Sequence, residues 1–284
     1  MKKFYFAIVY FLLLSAPGFS QGDEFLPYGK PTLRIFSNVH SIFADGETNP
    51  GFQLTRVYLG YEHHFSNTLS AQAVLDVGDP GLESYQRLAY IKNASLNYHA
   101  NKLTVKFGLI ATTHFKIQEA HWGYRYLLKS FQDLYRFNSS ADLGFSVAYS
   151  LNKIISADFM IANGEGYTKL QSDSTLRTGF GVTLTPLRGL TGRVYYDFSS
   201  KEHTQSSIAT FLGYSHEKFS LGAEYMKQFN PHFQKDRAMD GWSFYGTLQA
   251  SERLKIFGRF DQNSSNRING ELLPWNVEEN GQLY

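Results

Sequence analysis

The chain has no cysteine. That absence removes disulfide frameworks, thiolate nucleophiles, cysteine-ligated zinc and iron–sulfur clusters together. Charge of one sign is also missing: 27 Lys and Arg stand against 25 Asp and Glu, for a formal net charge of +2. So even a balance cannot neutralise the row of phosphates that holds nucleic acid, and no nucleic-acid partner is expected. After residue 21 no apolar run is long enough to cross a bilayer as a helix, which needs about 20 residues. What is abundant is aromatic: 24 Phe, 19 Tyr and 3 Trp make 16% of 284 residues, with 24 Gly beside them. Aromatic and β-branched residues favour strands.

The first residues combine Met1-Lys2-Lys3, an apolar run from Phe4 to Leu14, and the small-residue stretch Ser15-Ala16-Pro17-Gly18-Phe19-Ser20. Charged start, apolar middle and small residues before a cut make a secretory signal peptide over 1–20, cleaved before Gln21. With no Cys after the run, a lipoprotein anchor is excluded. An exported protein is expected, either soluble or embedded as strands.

From Thr32 onward the period is two. Leu69, Ala71, Ala73, Leu75 and Val77 alternate with Ser70, Gln72, Val74 and Asp76; Leu143, Phe145, Val147, Tyr149 and Leu151 alternate with Asp142, Gly144, Ser146, Ala148 and Ser150. Such alternation marks strands with one apolar and one polar face. Thirteen are expected, near 32–43, 52–65, 68–77, 87–98, 102–110, 142–151, 154–163, 176–185, 191–198, 206–215, 218–227, 241–250 and 254–262. The 87–98 segment fits poorly, because it places Lys92 with Tyr90, Ala94, Leu96 and Tyr98. Short polar turns alternate strictly with longer loops around 44–51, 78–86, 111–141, 164–175, 199–205 and 228–240. A transmembrane barrel keeps short turns at its periplasmic end and longer loops outside. The fold class expected is therefore all-β, an antiparallel transmembrane β-barrel, apolar toward lipid and polar toward the lumen. That division explains a mean hydropathy of only −0.31. Phe65, Tyr98, Phe198, Tyr214, Phe219, Tyr225 and Trp242, at strand ends, suit the two interfacial girdles.

Several blocks in this hairpin order resemble the Bacteroidetes-type outer-membrane porins of the phosphate-selective porin O/P superfamily. They are Arg56-Val57-Tyr58-Leu59-Gly60-Tyr61, Val105-Lys106-Phe107-Gly108, Ala141-Asp142-Leu143-Gly144, Asn163-Gly164-Glu165-Gly166 and Gly258-Arg259-Phe260-Asp261. The resemblance implies a porin β-barrel domain over 32–284, after a linker at 21–31, in the cell outer membrane of a Gram-negative bacterium. It implies outer-membrane lipid and small anions or hydrophilic solutes as partners, with a homotrimer as the assembly, and no cofactor, metal or catalytic residue. Thirteen strands depart from the even count that brings both chain ends to the periplasm. The stretch after Asn263 is loop-like, so strands of a 14- to 16-stranded parent are expected to be missing at the C-terminal end.

In the 111–141 loop, Ala120, Tyr124, Leu127, Leu128, Phe131, Leu134 and Tyr135 recur at helical spacing. Arg125, Lys129 and Arg136 fall within about 40° of one another at 100° per residue. Two placements of this amphipathic 118–137 helix stay open: folded into the barrel as a pore constriction, or external with its charges solvated. On the polar strand faces Arg34, Arg56, Lys106, Arg177, Arg193, Lys255 and Arg259 are expected to line the pore. Seven carboxylates oppose them: Glu62, Asp76, Asp142, Asp158, Asp197, Glu224 and Asp261. Selectivity needs rings of one sign, so a balanced wall points to a general porin, with any anion or phosphate preference supplied by the loop. Enzymatic readings are thin, since no Gly-x-Ser-x-Gly elbow is present and His63 and His64 point to opposite faces of a strand. An outer-membrane barrel enzyme or an adhesin without channel function is the alternative. N-terminal sequencing of the exported protein should begin near Gln21, with the protein recovered intact only in detergent extracts of membranes; recovery in a detergent-free periplasmic extract would refute the embedded reading.

Overall fold

A computed structural model describes residues 25–44, 47–79, 86–268, 270–276 and 280–284. The expected leader lies outside the described residues. Fourteen strands form one antiparallel sheet in sequence order. They are β1 Tyr28–Ala44, β2 Glu47–His64, β3 Leu69–Gly78, β4 Leu88–Ala100, β5 Leu103–Ala111, β6 Ala141–Ser150, β7 Ile155–Ala162, β8 Arg177–Leu187, β9 Leu190–Ser200, β10 Thr204–Ser215, β11 Phe219–Phe229, β12 Ala238–Ser251, β13 Leu254–Ser265 and β14 Asn280–Leu283. Two short helices, α1 Lys116–Trp122 and α2 Phe131–Leu134, lie between β5 and β6. No described helix is long and apolar enough to cross a membrane.

All thirteen expected strands are present, with longer connections after β3, β5, β7 and β11 as expected, but the loop expected at 199–205 shrinks to Lys201–His203 because Ser200 still pairs with Thr204. Three further details correct the sequence reading. Of the loop expected at 44–51, Ala44 and residues 47–51 are strand, because β1 and β2 stay paired up to Ala44 opposite Glu47. The C-terminal residues expected as loop include β14, with Phe260 opposite Leu283 and Asn263 opposite Asn280. Among the described residues no pairing joins β14 to β1. The third detail is Lys92. Val74 pairs with Asn93 and Leu75 with Ile91, so Lys92 is the extra residue of a β-bulge. It turns inward, its Nζ donating to the Tyr58 hydroxyl at 3.1 Å. The bulge reconciles Leu96 and Tyr98 on the outer face with a cation in the lumen.

Alternation decides which side chains face out. Val194, Leu212, Leu221 and Ile256 are each more than half exposed, whereas Tyr195, Ala209, Met226 and Asp261, at alternate positions of the same strands, are buried. Side chains on the outer face would leave water in a bilayer at roughly 1.5–3 kcal/mol for each large aliphatic group. Among the girdle residues, Tyr225 and Trp242 are cross-strand partners with rings 4.4 Å apart, and Tyr214 and Phe219 meet at 5.9 Å near the opposite end. Gly108 shows how tightly adjacent strands approach. It has φ +113, and a Cβ there would sit 2.3 Å from the Ala94 carbonyl oxygen, so the glycine of this block is a steric requirement.

Cysteines placed at Asn67, Asn101 and Asn152, in the short turns, should resist an impermeant thiol reagent on whole cells, while one at Gln234 reacts. Labelling at Asn152 but not Gln234 would invert the topology.

Candidate pore constriction

The connection from Thr112 to Ser140 folds into the barrel and packs on the inner wall. Phe131 and Phe137 are buried against Tyr195, Ala209, Met226 and Met239, the inward residues of β9 to β12. Trp122 packs with Phe211 and Tyr245, flanked by Ile117, Tyr124 and Leu128. Between these apolar contacts the wall supplies polar anchors. The Arg259 guanidinium donates to the Lys129 carbonyl at 2.7 Å and pairs with Asp261 at 2.7 Å. Arg193 donates to the Thr113 carbonyl at 2.7 Å while gripping both oxygens of Asp158. Gln132 donates to Glu224 at 2.9 Å, and Gln228 to the Phe137 carbonyl at 3.1 Å. Both ends of the segment meet at Asp197: His114 Nδ1 lies 2.8 Å from its Oδ2, and Asn138 donates to the same oxygen at 3.3 Å. The same Nδ1 lies 2.8 Å from the Asn138 amide nitrogen, so the three side chains close into one cluster.

The segment is not the single 118–137 helix that the periodicity predicts. Gly123, with φ +74, caps α1 in the left-handed conformation, and the chain then turns before α2. Arg125 and Lys129 therefore sit in the turn, and Arg136 follows α2 in a left-handed conformation at φ 58. Arg125, Lys129 and Arg136 nevertheless line one cavity of about 930 Å³, together with Arg56, Lys169 and Arg177. Their charges are not equally available. Arg125 is paired with Glu119 at 3.3 Å and Asp133 at 2.9 Å, whereas Lys129 and Arg136 have no ion-pair partner among the described residues.

The other expected lining residues divide between wall and water. Arg193 and Arg259 are 3% and 1% exposed, lie beneath the segment and act as its anchors, which corrects their reading as pore-lining groups. Arg56 lines the cavity but pairs with Asp76 at 3.0 Å. Arg34 on β1 is exposed, Lys106 on β5 half-buried, and Lys255 on β13 exposed. Counting seven cations against seven carboxylates therefore misjudges the pore, because Glu224, Asp197 and Asp261 are buried with the anchors. Three blocks of the sequence converge on the same mouth. Asp142 accepts from the Leu143 and Gly164 backbone N–H groups at 2.8 and 2.7 Å. Tyr167, three residues after Gly164, donates to Asp76 at 2.9 Å beside Arg56. Burial and the Asp76 charge push the Tyr167 phenol above its ordinary value, so it remains a donor. Sequence reasoning missed Lys92, Tyr167, Lys169 and His232; of these only Lys92 left a signal, its misfit with the strand period.

No protein-family profile matches the chain, and no curated protein matches it. Solved structures do. Salmonella typhi OmpF is 13% identical, with 89% of this chain and 82% of that chain covered and a TM-score of 0.64. OmpT of Vibrio cholerae, outer-membrane expressed, is 13% identical over 86% and 78%, with a TM-score of 0.59. Pseudomonas aeruginosa OccD3 is 11% identical over 90% of this chain and 65% of its own, with a TM-score of 0.51. The likeness is one of fold. The chain is an antiparallel β-barrel of the outer-membrane type, and its apolar outer face places it in that membrane.

Phe131→Ala should remove a fully buried ring and cost about 3–5 kcal/mol, read as a lower midpoint in guanidinium unfolding of detergent-folded protein. Protease cleavage within 112–140 should appear in the same variant and not in the parent.

Proposed function

We propose that the chain is a porin: it admits small hydrophilic solutes and ions by passive diffusion through the outer membrane, with a weak preference for anions. The observation that carries this reading is the inward-folded segment, which narrows a water-accessible lumen and sets Lys129 and Arg136 on the remaining cavity. In a confined low-dielectric passage, fixed charges act on ions more strongly than they would in bulk water. The leader over 1–20 and the domain over 32–284 belong to this proposal, as do the phosphate-selective O/P resemblance, a homotrimer, and contacts with membrane lipid and small anions. Against the enzyme alternative, the His114 and Asp197 side chains are sealed at 0% and 1% exposure, out of reach of a substrate in the lumen.

Replacing Lys129 and Arg136 together with Gln should move the reversal potential under a KCl gradient toward cation preference at low salt. Adding Arg125→Gln strips the counter-charge from Glu119 and Asp133 and should move it further the same way. The shift should fade above roughly 1 M salt, where the Debye length is about 3 Å. An unchanged potential at low salt would remove the anion preference and leave an unselective pore.

A further inference from the structure

Resting on the channel reading, we propose that the cavity mouth holds a discrete oxyanion subsite, formed by Arg177, Lys169 and the imidazole of His232, which takes up a proton together with its anion. It lies on the β7–β8 and β11–β12 connections and not on the constricting segment.

Arg177 opens β8 on the lumen side, is 7% exposed and lines the cavity. Its Nε meets no hydrogen-bond partner among the described residues. Leaving a buried charged donor unmet costs at least about 1–3 kcal/mol, so this guanidinium is set to receive an acceptor. Asp197 and Asp142 lie within its electrostatic reach. Asp197 Oδ2 is taken by His114 and Asn138 and the oxygens of Asp142 by two backbone N–H groups, while Asp197 Oδ1 makes no hydrogen bond to Arg177. Lys169 lines the same cavity and is exposed, with no ion pair among the described residues.

His232 faces them from the other side of the mouth. Its backbone N–H donates to Gln205 Oε1 at 2.7 Å, and its φ of 58 falls among left-handed values at Asn230, Phe233 and Asp236. Such conformations cost roughly 1–3 kcal/mol each and mark sites where a side chain must be aimed. The imidazole meets the Trp275 ring edge-on at 6.4 Å. The charged groups facing it are Arg237 at the start of β12, Lys169 from the β7–β8 connection and Arg177 from β8. Burial and then these three cations hold its pKa below the ordinary histidine value, so the empty site contains a neutral ring. Three carboxylates share the cavity wall, of which Asp133 is paired with Arg125. Asp173 is bonded to Thr175 and Lys201, and Glu165 to Ser172.

An anion seated among these groups reverses the local sign and favours imidazolium. Protonation and binding are then reciprocal: affinity rises as pH falls through the raised histidine pKa of the complex, by at most about tenfold per pH unit. Sulfate is the suitable probe, because its own charge is constant across this range whereas phosphate itself takes up a proton there.

Sulfate should be titrated calorimetrically into the detergent-solubilised full chain at about pH 7.5 and about pH 5.5, with KCl conductance measured in parallel. The dissociation constant should fall roughly fivefold or more on acidification, with proton uptake visible as buffer-dependent heat. His232→Gln should abolish the pH dependence while retaining the weaker binding. Arg177→Gln should weaken binding about tenfold at both pH values, the size of one lost charge-assisted hydrogen bond. Lys169→Gln, exposed and therefore harmless to folding, should weaken it several-fold. No sulfate heat, or an unchanged pH dependence in His232→Gln, would overturn the subsite in a chain that conducts. Absent KCl conductance with proton-linked sulfate binding intact would overturn the channel reading and leave the subsite standing.

Discussion

A barrel that turns its apolar residues toward lipid has little left but polar and small side chains for its interior, so anything folded inside must be fastened by specific contacts. That constraint shapes the chain. Strands β9 to β12 break their own pattern by pointing Tyr195, Ala209, Met226 and Met239 inward, and there Phe131 and Phe137 dock. Around this patch the wall must use charge. Arg193, Arg259, Asp197 and Glu224 are buried because each holds the segment's backbone or side chains. A buried charge left alone is costly, and a paired, hydrogen-bonded one is tolerable. Removing a single anchor would strand its partners as well.

The same arithmetic sorts the cations. Arg193 and Arg259, with carboxylate and carbonyl partners, fasten the segment, whereas Lys129, Arg136, Lys169 and Arg177, with no ion pair among the described residues, line the cavity. Charge type alone does not distinguish them. Arg193 and Arg177 both point inward on neighbouring strands, yet Arg193 grips Asp158 and Arg177 has no ion pair among the described residues.

How much was legible follows from this. Strand positions and the alternation of turns with loops depend on a period of two and on local turn residues, which one sequence displays directly. The bulge at Lys92 showed only as a misfit, since a bulge is defined by the partner strand. The helix over 118–137 failed because an apolar period of 3.6 is also what a twice-turned segment shows when its aromatics all face one wall; Gly123 was the local cue that it ends. Whether that segment lies inside or outside was undecidable from its own residues. The deciding groups, Met226, Met239 and Arg259, stand about a hundred residues further along the chain. Met226 interrupts the polar face of its strand, a trace that becomes readable only once the docking rings are known. β14 was missed because Asn280 to Leu283 is too short for an alternation to show.

The segment docks on one side only. Behind β9 to β12 the barrel is backed by a second layer of aromatic rings, whereas among the described residues β1 to β4 carry half-exposed side chains such as Glu62 on the lumen face and no comparable inner layer. The barrel is therefore a stiff half joined to a compliant half. Lateral pressure from the bilayer or thermal breathing of the sheet will be taken up where the wall is one strand thick.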